Sequence, residues 1–138
     1  MGANHDISVC ALLIGDYPRS RLLVHEIFLN AGWRLYEARD RKRALECLER
    51  RQVQVVIASR DMPHWPWQAV LRDLRHISRA PQLIVTSRVA DDSLWAEVLN
   101  CGGYDVLVEP FQREEISRVV AAARRHWESK RALAATGF

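Results

Sequence analysis

Apolar residues along this chain fall into short runs of strand length, separated by stretches in which they recur every three or four positions. The first run, residues 7–14 (I-S-V-C-A-L-L-I), stops at Gly15-Asp16 and a turn through Pro18. The period then changes. Leu22, Leu23, Ile27 and Phe28 repeat as one face of a helix, and Asn30-Ala31-Gly32 ends it with a glycine suited to a left-handed cap. Residues 33–38 alternate as a second strand, and Asp40 is placed to cap a helix whose apolar face is Ala44, Leu45, Cys47 and Leu48. Residues 53–59 carry Val53, Val55, Val56 and Ile57, the pattern of a strand buried on both faces, and lead into Arg60-Asp61-Met62-Pro63. Pro66 seats the first turn of a third helix over 67–79, with Val70, Leu71, Leu74 and Ile77 on one side, and Pro81 stops it. Residues 83–85 form a fourth strand before Thr86-Ser87, and 91–100 a fourth helix closed by Cys101-Gly102-Gly103. A fifth strand, 106–108, precedes Glu109-Pro110-Phe111, and 113–127 is a last amphipathic helix through Ile116, Val119, Val120 and Ala123.

Five strands alternating with five helices, with no hairpin turn between strands, predict an α/β fold with a parallel sheet covered on both faces. Right-handed crossovers leave few topologies, and such sheets carry their chemistry at the carboxyl ends of the strands. A length of 138 residues suits one domain. We expect it over 7–127, with a flexible lead-in at 1–6 and a helix end and tail at 128–138. The net charge of +3 changes this picture little. Part of it is local to Arg124, Arg125, Lys130 and Arg131, and without interleaved aromatics or a recognition motif a solvated helix face is the reading, not nucleic-acid binding. Cys10, Cys47 and Cys101 sit in apolar runs without metal-ligand spacing, so buried reduced thiols are expected. No apolar stretch approaches the roughly 20 residues of a membrane span, which points to a cytoplasmic protein without a membrane partner.

The order of elements, Asp61-Met62-Pro63 after the third strand, Thr86 after the fourth, and Gly102-Gly103-Tyr104-Asp105 through Pro110-Phe111 at the fifth resemble a CheY-like response-regulator receiver domain of two-component phosphorelays. The similarity covers about residues 9–127. It implies a single (βα)5 flavodoxin-like, doubly wound parallel sheet of strand order 2-1-3-4-5. Receivers take a phosphoryl group from a histidine kinase onto an Asp at the end of strand three. An acidic pair after strand one holds Mg²⁺ with that Asp, a Lys after strand five neutralises phosphoryl charge, and a Thr or Ser after strand four bonds the phosphoryl group.

Against that pattern, Gly15-Asp16 leaves one carboxylate of the pair, Ser59 stands at the acceptor position, Thr86 is retained, Glu109 replaces the Lys, and Val106 replaces the switch aromatic. The Glu109 reversal alone matters: two like charges about 4 Å apart repel by about 4 kcal/mol at an effective dielectric of 20. The resemblance therefore implies a pseudo-receiver, a stand-alone signalling module and not an enzyme, acting by protein contact without Asp phosphorylation.

Other readings stay open. Asp61 is an alternative phosphoacceptor, working with Asp16 and Mg²⁺; without it, no cofactor is expected beyond weak Mg²⁺ held by Asp16, Glu109 and Asp61. If no metal binds, Glu109 is expected to pair with Arg60 or Arg88. A small-molecule sensor relined by Ser59, Thr86, Glu109 and tryptophans is a further alternative. Trp65 and Trp67 either cover the vacated site as a lid, pack internally, or meet a partner. Trp95, Val106 and Trp127 are expected on the helix-four/strand-five/helix-five face that receivers use for dimerisation, so a signalling protein, a histidine kinase or a second copy is the expected partner.

Overall fold

Each short apolar run becomes a strand and each periodic stretch a helix. The computed structural model describes residues 8–135; the expected flexible lead-in at 1–6 lies outside them. In chain order the elements are β1 (Cys10–Ile14), α1 (Arg21–Ala31), β2 (Arg34–Ala38), α2 (Arg41–Arg50), β3 (Val55–Ser59), α3 (Trp67–Leu74), β4 (Gln82–Ser87), α4 (Asp92–Cys101), β5 (Asp105–Val108) and α5 (Arg113–Ala135). The five strands form one sheet in the order β2-β1-β3-β4-β5. Every pairing is parallel, with Leu12 opposite Val56, Val56 opposite Leu83 and Val85 opposite Val106. This is the expected topology.

The two-residue period of the strands sorts their side chains into two core layers. Ala11, Leu13, Val55, Ile57, Ile84 and Leu107 pack with Val24, Ile27 and Phe28 of α1 and with Ile116, Val119, Val120 and Ala123 of α5. Leu12, Ile14, Val56, Ala58, Leu83 and Val85 point the other way, onto α2, α3 and α4 through Ala44, Leu48, Trp67, Val70, Leu74, Leu94 and Val98. Both faces of the central strands are therefore dry, which is why their sequences read as unbroken apolar runs.

Local chemistry fixes the helix ends. Asp40 accepts a hydrogen bond from the Arg43 amide at 2.9 Å, and Asp91 accepts from the amides of Ser93 and Leu94. Gly32 and Gly102 close α1 and α4 at φ 73° and 102°, where a side chain would be strained.

Four expectations need correction. Helix α3 stops at Leu74, not near Arg79, because the chain tightens into successive three-residue turns and Arg79 adopts φ 59° before Pro81. Helix α5 runs eight residues past Trp127, to Ala135. Trp127 is 3% exposed: its indole N–H donates to the Arg79 carbonyl at 3.2 Å, and the Arg124 and Arg131 guanidinium groups stack over its ring. It is packed internally and is not an exposed residue of a dimer face. The three cysteines are unpaired as expected, but Cys101 is exposed and Cys10 and Cys47 are half-buried. Among the described residues, no helix is long and apolar enough to cross a membrane.

Candidate functional site

Parallel strands bring the ends of β1, β3, β4 and β5 to one edge, where the loops carrying Gly15-Asp16, Ser59, Thr86 and Glu109 meet. Gly15 follows β1 at φ 127°, and a Cβ there would lie 3.0 Å from the Cβ of Ser59. Only glycine accepts that conformation without strain, and its bareness lets the β1 and β3 ends approach. Ser59 is opposite Thr86 in the register, and its hydroxyl accepts from the Asp61 amide at 3.2 Å. This short turn leaves Asp61 exposed beyond the strand end.

Two residues that the sequence reading passed over complete the arrangement. The Tyr17 hydroxyl lies 2.9 Å from Thr86 Oγ1. Both side chains are buried, so the Thr86 hydroxyl is engaged within the domain. Burial pushes the Tyr17 phenol well above its ordinary range; the Thr86 bond opposes this rise and the Glu109 charge adds to it. Ser20, at the N-cap of α1, makes no capping bond; its hydroxyl donates to Glu109 Oε2 at 2.8 Å. An aromatic ring in the polar turn Gly15-Asp16-Tyr17-Pro18 was the available signal for Tyr17. Nothing local marks Ser20, whose partner is 89 positions away.

The expected pairing of Glu109 with Arg60 or Arg88 is not what forms. Arg60 bonds Asp91 at 3.3 Å and braces the β3 loop against α4. Arg88 lines the same shallow groove as Ser20 and Glu109 without an ion-pair partner among the described residues.

The tryptophans also fall elsewhere. Trp65 and Trp67 are each 3% exposed in the core layer under α2, α3 and α4. The Trp65 indole N–H donates to Asp73 Oδ2 at 2.9 Å. Internal packing is thus their role, and neither a partner contact nor a lid remains open to them. A relined pocket combining Ser59, Thr86, Glu109 and these rings is not present, since Thr86 is 1% exposed and the rings lie in the opposite layer. Trp95 is half-exposed on α4, with its indole N–H on Asp105, and Val106 is part-buried on β5.

The residues present do not fit the Mg²⁺ that receivers use. Gly15 supplies no carboxylate, Ser59 is neutral, and a Glu109 oxygen already accepts from Ser20. Among the described residues, no three Asp, Glu, His or Cys side chains converge, so Asp16, Asp61 and Glu109 do not make a cluster.

The fold and the elements around this edge define a signalling receiver. The chain belongs to the family described as "Response regulator receiver domain", which it matches over residues 11–121. It is 26% identical over 113 residues to the regulatory protein AtoC of Escherichia coli (strain K12), covering 81% of this chain and 24% of AtoC. It is 21% identical over 110 residues to the chemotaxis protein CheY of Bacillus subtilis, covering 79% of this chain and 92% of CheY. The chain thus spans about a quarter of AtoC but nearly all of CheY. Among solved structures, a signal receiver domain from Vibrio parahaemolyticus superposes with a TM-score of 0.80 at 16% identity, covering 92% of this chain and 98% of that one.

Proposed function

We propose that this receiver domain acts in two-component signalling through protein contact and is not switched by phosphorylation at the family's acceptor position. The observation that carries the reading is the Ser20–Glu109 bond. It holds a carboxylate where phosphotransfer requires a cation, at the same edge of the sheet as a strand end that offers Ser59 in place of an Asp. The Tyr17–Thr86 bond supports it, because the hydroxyl that would answer a phosphoryl group already has a partner. The exposed turn at Asp61, its amide on the Ser59 hydroxyl, favours a structural part for that carboxylate over phosphoryl acceptance.

The partner in this reading is a signalling protein, a histidine kinase or a second copy of the chain. It meets the face formed by α4 and β5, where Trp95 and Leu99 are exposed, the Trp95 indole reaches Asp105 and Val106 is part-buried; Val89 is exposed in the loop before α4. Incubation with Mg²⁺ and acetyl phosphate, followed by intact mass before turnover, tests the first half of the proposal. The expected result is no phosphoryl adduct and no Mg²⁺-dependent tryptophan quenching. An adduct mapped to Asp61 or Ser59 would overturn it.

A further inference from the structure

At the opposite end of the sheet, where β4 begins, the surface is hollowed into a groove of about 750 Å³. Gln82 lines this groove and Ser87 ends the same strand at the candidate site, so the two regions stand about 17 Å apart at roughly 3.3 Å of rise per residue. The floor is apolar, made by Leu71, Leu74, Ala80 and Pro81 with an edge of Trp127. Its rim is cationic, with Arg75, Arg79, Lys130 and Arg131. A second hollow, sharing Ser78, Arg79 and Pro81 with the first, adds Arg50 and Arg51. Among the residues lining the two hollows, Glu49 is the one carboxylate.

Several features distinguish this groove from an ordinary solvated face. Arg79 holds a left-handed backbone that non-glycine residues rarely adopt, and its carbonyl is fixed by the Trp127 indole. The Arg75 guanidinium is anchored on the Cys101 carbonyl at the end of α4. The last turns of α5, beyond Trp127, carry Lys130 and Arg131 to the rim. Arg75, Arg79 and Lys130 have no carboxylate partner among the described residues, and Arg131 meets Glu128 only at 3.9 Å.

We infer that this groove binds a small phosphate-bearing anion with an apolar or planar body, the chemistry of a nucleotide. Its volume lies in the range of small-molecule sites, and its lining combines an apolar floor with four cationic side chains. Arg and Lys on one rim match the several negative oxygens of a phosphate chain, and the apolar floor matches a base. The ligand would be sensed at the end of the domain remote from Ser59, independently of phosphotransfer.

Calorimetric titration of the full chain with ATP in the absence of Mg²⁺ at low salt tests this. Saturable one-to-one binding is expected, weakened tenfold or more in an Arg79→Gly/Lys130→Ala variant and unchanged in Arg125→Ala, a residue off the groove. Glycine accepts the backbone of position 79, so the double variant keeps its fold, which far-UV circular dichroism and its melting temperature verify. Absence of saturable binding, or equal binding by the folded double variant, would overturn the inference. Binding of poly-glutamate without binding of ATP would also overturn it, in favour of an acidic protein partner.

Discussion

The Tyr17 hydroxyl and its bond to Thr86 Oγ1 are the buried polar contact on which the candidate site rests. Replacing Tyr17 with Phe keeps the ring against Phe111 but leaves the Thr86 hydroxyl without this partner. The expected cost is about 1 kcal/mol, read as a lower urea midpoint at an unchanged slope. The raised phenol pKa gives the effect a pH signature. An unfolded tyrosine ionises near pH 10, whereas the folded one stays protonated, so the unfolded state loses its proton first. Stability therefore falls as pH rises above about 10 in the native protein, and the gap between it and Tyr17→Phe narrows there. Charge at position 109 is a second matter for single residues. Ser59→Asp alone is expected to label with acetyl phosphate at least tenfold more slowly than Ser59→Asp with Glu109→Lys, because the added ammonium replaces repulsion by attraction of a few kcal/mol. Equal labelling in a quantitative mass time course would remove the electrostatic argument.

At the scale of elements, Asp73 on α3 ties three segments together. It accepts from Arg41 of α2 and from the Trp65 indole of the preceding loop. Partial burial raises its carboxyl pKa, but the bonds from Arg41 and Trp65 and the guanidinium charges of Arg41 and Arg72 outweigh this and hold it below the ordinary value. Its stabilising contribution is present above the unfolded pKa near 4 and is lost as pH falls through the lower folded value. Asp73→Ala is expected to cost about 1–3 kcal/mol at pH 7 by stranding the Trp65 N–H, with the difference shrinking below pH 4 in acid denaturation curves.

Elements of this kind were legible unevenly. Strands and several helix ends were readable because β-branched runs, Asp40, Asp91 and Gly102 act through neighbours in the chain. The end of α3 was not, since Arg79 turns where its carbonyl meets Trp127, a residue 48 positions on. The positions of Ser59, Thr86 and Glu109 at one edge followed from strand order, but which partners each would take did not. Trp65, Trp67 and Trp127 showed the limit most clearly, for indole rings suit a core and an interface alike until packing decides.

For the whole molecule, exposed hydrophobic residues occur on α1 and α5 as well as at α4, and those at α4 bear on the expected assembly face. Trp95 on α4 is 50% exposed, with its indole on Asp105 of β5, and Val89 in the preceding loop is 64% exposed. If copies associate through this face, Trp95→Ala lowers the dimer fraction severalfold in sedimentation velocity at matched concentration. A dimer indifferent to Trp95 would place the interface elsewhere. The cationic groove lies at the far end of the same sheet, so a ligand there and a partner on α4 could occupy the domain together.

Gly15 carries a consequence for redesign. A carboxylate at this position would need a left-handed backbone to relax and the Ser59 Cβ, 3.0 Å from the new Cβ, to withdraw. An Asp at position 59 keeps that Cβ and adds a carboxylate beyond it, so carboxylates at 15 and 59 would share one narrow gap. A carboxylate at position 15 therefore calls for adjustment of both strand ends together, and no single substitution there supplies it.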